Sequence, residues 1–223
     1  MLLYYITDRT QLADDEPARR RRLLEKISEA ARGRVDYIQL REKDLAAREL
    51  ESFAREAVRV VCDASQSPAH LGTKSARTRL LINSRTDVAL ACGADGVHLR
   101  SDDISASEVR NVWKQAGRSS GPIVSVSCHS SEEVHHAASE GADFVVFAPV
   151  FEKNTVAGAA PTGLRALRQA CREKIPVMAL GGVTLENAGA CAEAGAAGIA
   201  GIRLFQDGEI GRAVEILRGL TAG

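Results

Sequence analysis

Short apolar segments alternate with longer amphipathic stretches along the whole chain. The apolar segments predict eight β-strands, at residues 2–7, 35–40, 79–82, 96–99, 123–126, 144–147, 177–180 and 198–202. The amphipathic stretches predict eight helices, near residues 18–32, 46–63, 86–92, 105–117, 131–140, 163–173, 184–194 and 209–219. Strand–helix units in strict order indicate a parallel sheet with helical crossovers. Eight units in 223 residues favour a single-domain (β/α)8 TIM barrel over a doubly wound sheet, which usually has about five or six strands.

Glycine residues mark the ends of several predicted helices. Gly-Ala-Asp precedes a strand at Gly93–Asp95 and again at Gly141–Asp143, and Gly195-Ala196-Ala197 is a diverged third copy. Each glycine is expected to end its helix in the left-handed conformation. The segment Ala64–Thr78 is rich in Ser, Thr and Gly, and we expect a loop there on the face opposite the site.

The composition is that of a globular protein with a balanced charge. Hydrophobic residues make up 45% of the chain but aromatic residues only 4%, so aliphatic side chains are expected to fill the interior. The 29 basic and 29 acidic residues cancel, which gives no support to a nucleic-acid or membrane partner. The run Arg19–Arg22 leads into an apolar helical pattern and is interpreted as a solvated helix face.

Cysteine spacing and the absence of an apolar span point to a cytoplasmic protein. The five cysteines have no paired spacing, which is typical of reduced thiols rather than of disulfides or a zinc site. No apolar run approaches the roughly 18 residues that a bilayer requires. The segment Met1–Asp8 lacks a basic leader and a cleavage site and is predicted to be a strand.

Polar residues stand where several predicted strands end. Gln39, Arg41 and Lys43 are spaced by two, which places them on one side of a strand leading to the barrel mouth. An exposed loop pair, with Glu42 and Asp44 as counter-ions, is the alternative for Arg41 and Lys43. Three further strands end in polar groups, namely Asn83, His98, and the trio Ser125, Ser127 and His129, with Cys128 expected to point away. A lone histidine is more often structural, but the convergence of such groups makes a functional role for His129 as well supported as a structural one.

Glycines after the seventh and eighth strands predict a phosphate site. Gly181 and Gly182 end the seventh strand, and Thr184 is a plausible N-cap of the next helix. The eighth strand ends at Gly201, Ile202 and Arg203. Backbone N–H groups at these two strand ends bind phosphate in many barrels, so a small phosphorylated substrate is expected.

The motifs together resemble the thiamine phosphate synthases and their thiazole tautomerase paralogues, over nearly the whole chain. The segments that carry the resemblance, in family order, are Tyr5-Ile6-Thr7-Asp8, Gln39-Leu40-Arg41-Glu42-Lys43-Asp44, Ile82-Asn83, Ala94-Asp95-Gly96-Val97-His98-Leu99, Ser127-Cys128-His129-Ser130, Gly141-Ala142-Asp143-Phe144, Pro149-Val150-Phe151 and Ala179-Leu180-Gly181-Gly182-Val183. A synthase of this family joins a hydroxymethylpyrimidine diphosphate to a thiazole phosphate and releases pyrophosphate. A homodimer is an open alternative for the assembly.

The resemblance implies a role for each matching residue. Gln39, Arg41 and Lys43 would contact the pyrimidine and its diphosphate, and Asn83 would lie beside the pyrimidine. Gly181 and the 201–203 backbone would hold the thiazole phosphate. We expect three further substrate contacts, from His98, Ser127 and Thr155.

The chain departs from the synthase pattern where the diphosphate charge is handled. Asn83-Ser84 replaces an Asn-Asp pair, so one expected magnesium carboxylate is missing, whereas Asp103 supplies the other. The segment Lys153-Asn154-Thr155-Val156 lacks the first Thr and the Lys of the family loop. Arg100-Ser101 replaces Gly-Gln, and Arg203 replaces a small residue. These changes put efficient synthase activity in doubt.

Three functions remain open from the sequence. The leading hypothesis is a tautomerase-like proton transfer within a thiazole carboxylate phosphate, with His129 as the proton carrier and no metal or other cofactor. The second is thiamine phosphate synthase activity, which would use Mg²⁺ held at Asp103. The third is a catalytically silent barrel that binds a thiamine precursor or a partner protein.

Overall fold

The computed structural model describes residues 1–65, 77–152 and 161–220. In these residues eight parallel strands close into a barrel whose order around the axis follows the chain. The strands are β1 (Leu2–Ile6), β2 (Tyr37–Leu40), β3 (Arg79–Asn83), β4 (Gly96–Leu99), β5 (Ile123–Cys128), β6 (Phe144–Phe147), β7 (Val177–Ala179) and β8 (Gly198–Gly201). The predicted (β/α)8 TIM barrel is therefore confirmed.

Helices connect each strand to the next on the outside of the barrel. Those in the described ranges are α1 (Glu16–Arg32), α2 (Ala47–Ser65), α3 (Thr86–Cys92), α4 (Ala106–Gln115), α5 (Ser131–Ser139), α6 (Gly163–Ala170), α7 (Ala188–Glu193), α8 (Arg203–Gln206) and α9 (Ile210–Gly219). None of them is both long and apolar enough to cross a bilayer.

Three helix predictions are wrong at their ends. The sixth helix ends at Ala170 rather than near residue 173. The seventh helix begins at Ala188 rather than near residue 184, and Asn187 rather than Thr184 precedes it. The Thr184 N–H instead donates to Asn187 Oδ1 at 2.8 Å, and Asn187 Nδ2 donates to Gly182 O at 3.0 Å, so this turn is closed by an asparagine side chain. The predicted loop at Ala64–Thr78 starts too early, because α2 continues to Ser65; residues 66–76 lie outside the described residues.

The three predicted glycine helix ends are confirmed. Gly93, Gly141 and Gly195 have φ angles of 76°, 82° and 99°. These are left-handed conformations that glycine adopts without a Cβ clash, so each helix can end and the chain can turn into the next strand.

The core has an outer layer between strands and helices and a smaller layer inside the barrel. The inner layer contains Tyr4, Ile6, Leu81, Phe144, Val146, Met178 and Ala200. Tyr4, Tyr37 and Phe144 pack together at its amino-terminal end, with ring centroids 4.6 to 5.9 Å apart. Five of the seven residues of the inner layer are not aromatic, so the expectation of a largely aliphatic interior agrees with this layer apart from Tyr4 and Phe144.

Candidate active site

The carboxyl ends of the strands surround an open cavity of about 1200 Å³. Its lining includes seven polar residues predicted at strand ends, Gln39, Arg41, Lys43, Asn83, His98, Ser127 and His129. It also includes the predicted phosphate-site residues Gly181, Gly182, Gly201, Ile202 and Arg203. One cavity thus collects groups from six strands that are far apart in the chain.

A chain of hydrogen bonds runs from Gln39 and Asn83, which form the polar floor of the cavity, to Ser84 and Asp103, which are not among its lining residues. Gln39 Nε2 donates to Asn83 Oδ1 at 2.7 Å, and Asn83 Nδ2 donates to Ser84 Oγ at 3.2 Å. Ser84 Oγ donates to Asp103 Oδ2 at 2.6 Å. Gln39 Oε1 is buried and has no hydrogen-bond donor among the residues described. Because a buried acceptor without a donor is costly, this oxygen favours a ligand that brings an N–H group.

His98 is paired with Asn83 in the strand register and lies between two serine hydroxyls, 3% exposed. Its Nδ1 is 2.7 Å from Ser125 Oγ, and its Nε2 is 2.8 Å from Ser127 Oγ. Burial, and after it the charge of Arg41, lowers the pKa of His98 to about 3. The imidazole is therefore neutral at ordinary pH and acts as a hydrogen-bonding group rather than as a cation.

Three cations lie on the β2–β4 side of the cavity. Arg41 and Lys43 follow β2, and Arg100 follows β4. Arg41 lowers the pKa of Lys43, as do its partial burial and the charge of Arg100, so these groups act on one another. Like charges held close together repel one another, and an anion that binds between them relieves this repulsion. A polyanionic ligand therefore fits this side of the cavity.

Lys43 is exposed and Arg41 is half-buried, and both lie beyond the end of β2. The alternative of a simple exposed pair with Glu42 and Asp44 is wrong, because the Glu42 side chain is only 1% exposed and bonds to Arg9. The predicted alternation, with Gln39, Arg41 and Lys43 on the cavity side, therefore continues past the end of β2.

His129 lies on the same side of the chain as Ser127, at the cavity rim, while Cys128 is fully buried in the outer core. Its Nδ1 is 2.7 Å from Ala148 O. A carbonyl oxygen only accepts, so this contact places the proton of the neutral imidazole on Nδ1 and leaves Nε2 as the basic nitrogen.

The glycines after β7 have a packing role that the sequence did not indicate. Gly181 and Gly182 have φ angles of 95° and 63°. A Cβ at Gly181 would lie 2.7 Å from Pro149 Cα, and one at Gly182 would lie 2.5 Å from Glu152 O. Glycine is required at these two positions because residues 149–152 pack directly on this turn and leave no room for a side chain. Gly201 and Ile202 also line the cavity.

Asp103 is the one predicted metal ligand. Its Oδ2 accepts from Ser84 Oγ and, at 2.8 Å, from the Arg100 N–H, while Arg100 Nε lies 3.8 Å from Oδ1. The described residues include no group of three or more side chains that could hold a metal ion. A single carboxylate can be enough for magnesium that substrate phosphates also coordinate. Asp103 is not among the residues that line the cavity, although its hydrogen bond with Ser84 joins it to Asn83, which lines it.

The predicted set of mouth residues and the observed cavity lining differ in two ways. Thr155, Lys153 and Val156 lie outside the described residues. Several cavity-lining residues were not predicted as contacts, namely Ile6, Gln11, Arg100, Leu180 and Asp207. Of these, only Arg100 had a signal in the sequence, as a charged residue directly after a polar strand end.

The chain matches the family described as thiamine monophosphate synthase over residues 3–205. The chain belongs to this family. A relative from Aquifex aeolicus is 39% identical over 204 residues, which are 91% of this chain and 96% of that protein. The thiamine-phosphate synthase of Syntrophomonas wolfei is 37% identical over 200 residues, 89% of this chain and 85% of that protein.

A solved structure agrees with this assignment to the thiamine monophosphate synthase family. The thiamine phosphate pyrophosphorylase of Pyrococcus furiosus superimposes with a TM-score of 0.76 at 28% sequence identity. The match covers 98% of this chain and 94% of that one.

Proposed function

We propose that the protein is a thiamine phosphate synthase, which joins a hydroxymethylpyrimidine diphosphate to a thiazole phosphate and releases pyrophosphate. The thiamine-phosphate synthases among its relatives favour this reaction over the tautomerase, which is the leading hypothesis on sequence grounds alone. In the reaction a bond forms between the thiazole nitrogen and the pyrimidine methylene carbon, and the bond from that carbon to the diphosphate breaks.

The observation that carries the proposal is the presence of two regions suited to anions in one cavity. Arg41, Lys43 and Arg100 lie on the β2–β4 side, and the glycine backbone with Arg203 lies on the β7–β8 side. A reaction between two phosphorylated substrates needs both regions, whereas a rearrangement within one phosphorylated ring needs fewer cations. The cationic side is matched to the diphosphate and the glycine side to the thiazole phosphate.

The floor between these regions suits an aminopyrimidine. Gln39 Oε1 is a buried acceptor, and Gln39 Nε2 is already bonded to Asn83. An amino group on the ring would give this oxygen its missing donor. His98, which is paired with Asn83 in the strand register, stays neutral, so it adds no competing positive charge.

Charge that builds up on the departing diphosphate must be neutralised in the transition state. Arg41, Lys43 and Arg100 would supply this from the protein. Magnesium, when bound, would add further positive charge at the diphosphate, and Asp103 is the residue that would hold it. The guanidinium of Arg100 pairs with Asp102 at 2.9 and 2.6 Å, but both side chains are more than half exposed, so this pair orients Arg100 only weakly.

A tautomerase is the second candidate, and one specific observation favours it. The contact of His129 with Ala148 O leaves Nε2 as a base at the cavity rim, a group that could move a proton on a thiazole ring. This reaction would need neither magnesium nor the pyrimidine diphosphate.

Incubation with each precursor set separates the two functions. With the pyrimidine diphosphate, the thiazole phosphate and magnesium, we expect mass spectrometry to detect thiamine phosphate and equimolar pyrophosphate. A parallel reaction without the diphosphate contains only the thiazole carboxylate phosphate. Conversion of that compound to its tautomer has to be followed by NMR, because the mass does not change. Such conversion, with no thiamine phosphate in the first reaction, would overturn the synthase proposal in favour of the tautomerase.

A further inference from the structure

The segment Arg41-Glu42-Lys43-Asp44 separates its positive and negative charges between two sides. Arg41 and Lys43 line the mouth cavity. Glu42 and Asp44 instead accept hydrogen bonds from Arg9, which follows β1 on the neighbouring strand. A segment with four consecutive charges of alternating sign thus offers only its cations to the mouth.

Arg9 contacts three carboxylates although its side chain is only 3% exposed. One terminal nitrogen donates to Glu42 Oε2 at 3.1 Å and to Asp44 Oδ1 at 2.6 Å, and the other donates to Asp44 Oδ2 at 2.9 Å. Its Nε donates to Glu16 Oε1 at 2.9 Å, at the start of α1. The flat guanidinium can hold these groups in fixed directions, which a lysine ammonium cannot do.

Glu42 depends on this arrangement because it is a buried charge. Burial raises the pKa of Glu42, and the hydrogen bonds from Thr7 and Arg9 act in the opposite direction. Thr7 Oγ1 donates to Glu42 Oε1 at 2.5 Å and accepts from the Arg41 N–H at 3.0 Å. The Arg9–Glu42 pair is therefore joined through one hydroxyl to the backbone that carries Arg41.

We infer that Arg9 is a positioning residue, which holds Glu42 and Asp44 away from the mouth so that Arg41 and Lys43 remain available to an anion. The inference rests on the proposed function for the identity of that anion, the diphosphate. Without Arg9, the two carboxylates would be free to pair with the cations beside them in the chain, and the segment would lose its fixed direction.

Asp44→Asn gives a test in which simple electrostatics and positioning predict opposite signs. Asp44 is 57% exposed and is absent from the cavity lining of the described residues, so its loss should leave the fold intact. Removing a negative charge near an anion site should by itself strengthen anion binding. If Arg9 positions the segment through Asp44, the variant should instead bind inorganic pyrophosphate about tenfold more weakly in calorimetry with magnesium present.

Two further variants and a matched control complete the experiment. Glu49→Gln removes another 57% exposed carboxylate in the same region, paired with Arg20 rather than Arg9, and should leave pyrophosphate affinity unchanged. Arg9→Lys keeps the positive charge but loses the flat guanidinium that holds the carboxylates in fixed directions, so it should also weaken pyrophosphate binding. Arg9→Met with Glu42→Gln removes both buried charges together, which tests the role of Arg9 without leaving an unpaired carboxylate inside.

Hydrogen–deuterium exchange provides a readout that needs no ligand and no turnover. We expect the 41–45 backbone to exchange faster in Asp44→Asn and Arg9→Lys than in the wild type and Glu49→Gln. Unchanged exchange, or pyrophosphate binding as tight as in the wild type, would overturn the positioning role. A wild-type protein that fails to bind pyrophosphate would overturn the proposed function, while the exchange measurement would still decide the role of Arg9.

Discussion

At the level of single residues, His98 combines a central position with an unusual protonation state. It lies between Ser125 and Ser127 inside the barrel, and burial lowers its pKa to about 3. Its ordinary value is 6.5, so the unfolded chain binds more protons than the folded one between these two pH values. The contribution of neutral His98 to the free energy of unfolding is fully present above its pKa in the unfolded chain. It is lost as the pH falls from that value toward the pKa in the folded protein.

A pH series of urea unfolding tests this protonation state. Relative to His98→Gln, the free energy of unfolding of the wild type should fall by about 1.4 kcal/mol per pH unit between about pH 6 and pH 4. His135→Gln is the control, because the His135 side chain is 73% exposed, and it should keep the wild-type slope. Parallel curves for wild type and His98→Gln would mean that His98 is not buried neutral.

Much of the site's residue list follows from local spacing. The period of two in Gln39, Arg41 and Lys43 was enough to place all three at the mouth. The pairing of Arg9 with Glu42 and Asp44 could not be found in this way, because the partners are more than 30 residues apart and meet only when β1 and β2 are neighbours. Contacts between distant residues depend on register, which no short sequence pattern carries.

At the level of elements, strand–helix alternation predicted all eight strands, and the errors fall at ends and in short pieces. Helix α8, Arg203–Gln206, was missed because four residues are too few for a helical period. The late start of α7 was missed because Thr184 has the residue type of a cap, while Asn187 closes the turn.

The turn after β7 gives a prediction at this level. Gly181→Ala should lower the free energy of unfolding by about 2 kcal/mol or more, since the φ of 95° is strained for alanine and the Cβ would meet Pro149. Gly211→Ala in α9 is the matched control, because a Cβ there meets nothing within 4 Å, and its stability should be unchanged or slightly higher. Equal denaturation midpoints for the two variants would show that the β7 turn tolerates a side chain.

For the molecule as a whole, the amino-acid composition gave no indication of the group of cations at the mouth of the barrel. Twenty-nine basic and 29 acidic residues give no net charge, yet the fold brings Arg41, Lys43 and Arg100 to one side of the mouth. The sequence identified the family and the barrel, but the preference for tautomerase activity rested on missing family residues such as the carboxylate at position 84. Arg100 is visible in the sequence as a charged residue after a strand end, but its place beside Arg41 and Lys43 follows only from the closed barrel.

The central claim is that two phosphorylated substrates bind on different sides of one mouth. Steady-state kinetics of thiamine phosphate formation, with each substrate varied while the other saturates, tests it most directly. Lys43→Ala should raise KM for the pyrimidine diphosphate about tenfold or more and leave KM for the thiazole phosphate near the wild-type value, since each lost charge contact acts on one substrate. Arg203→Ala should give the reverse pattern. Equal effects of both variants on both substrates, or no thiamine phosphate from the wild type, would contradict the account.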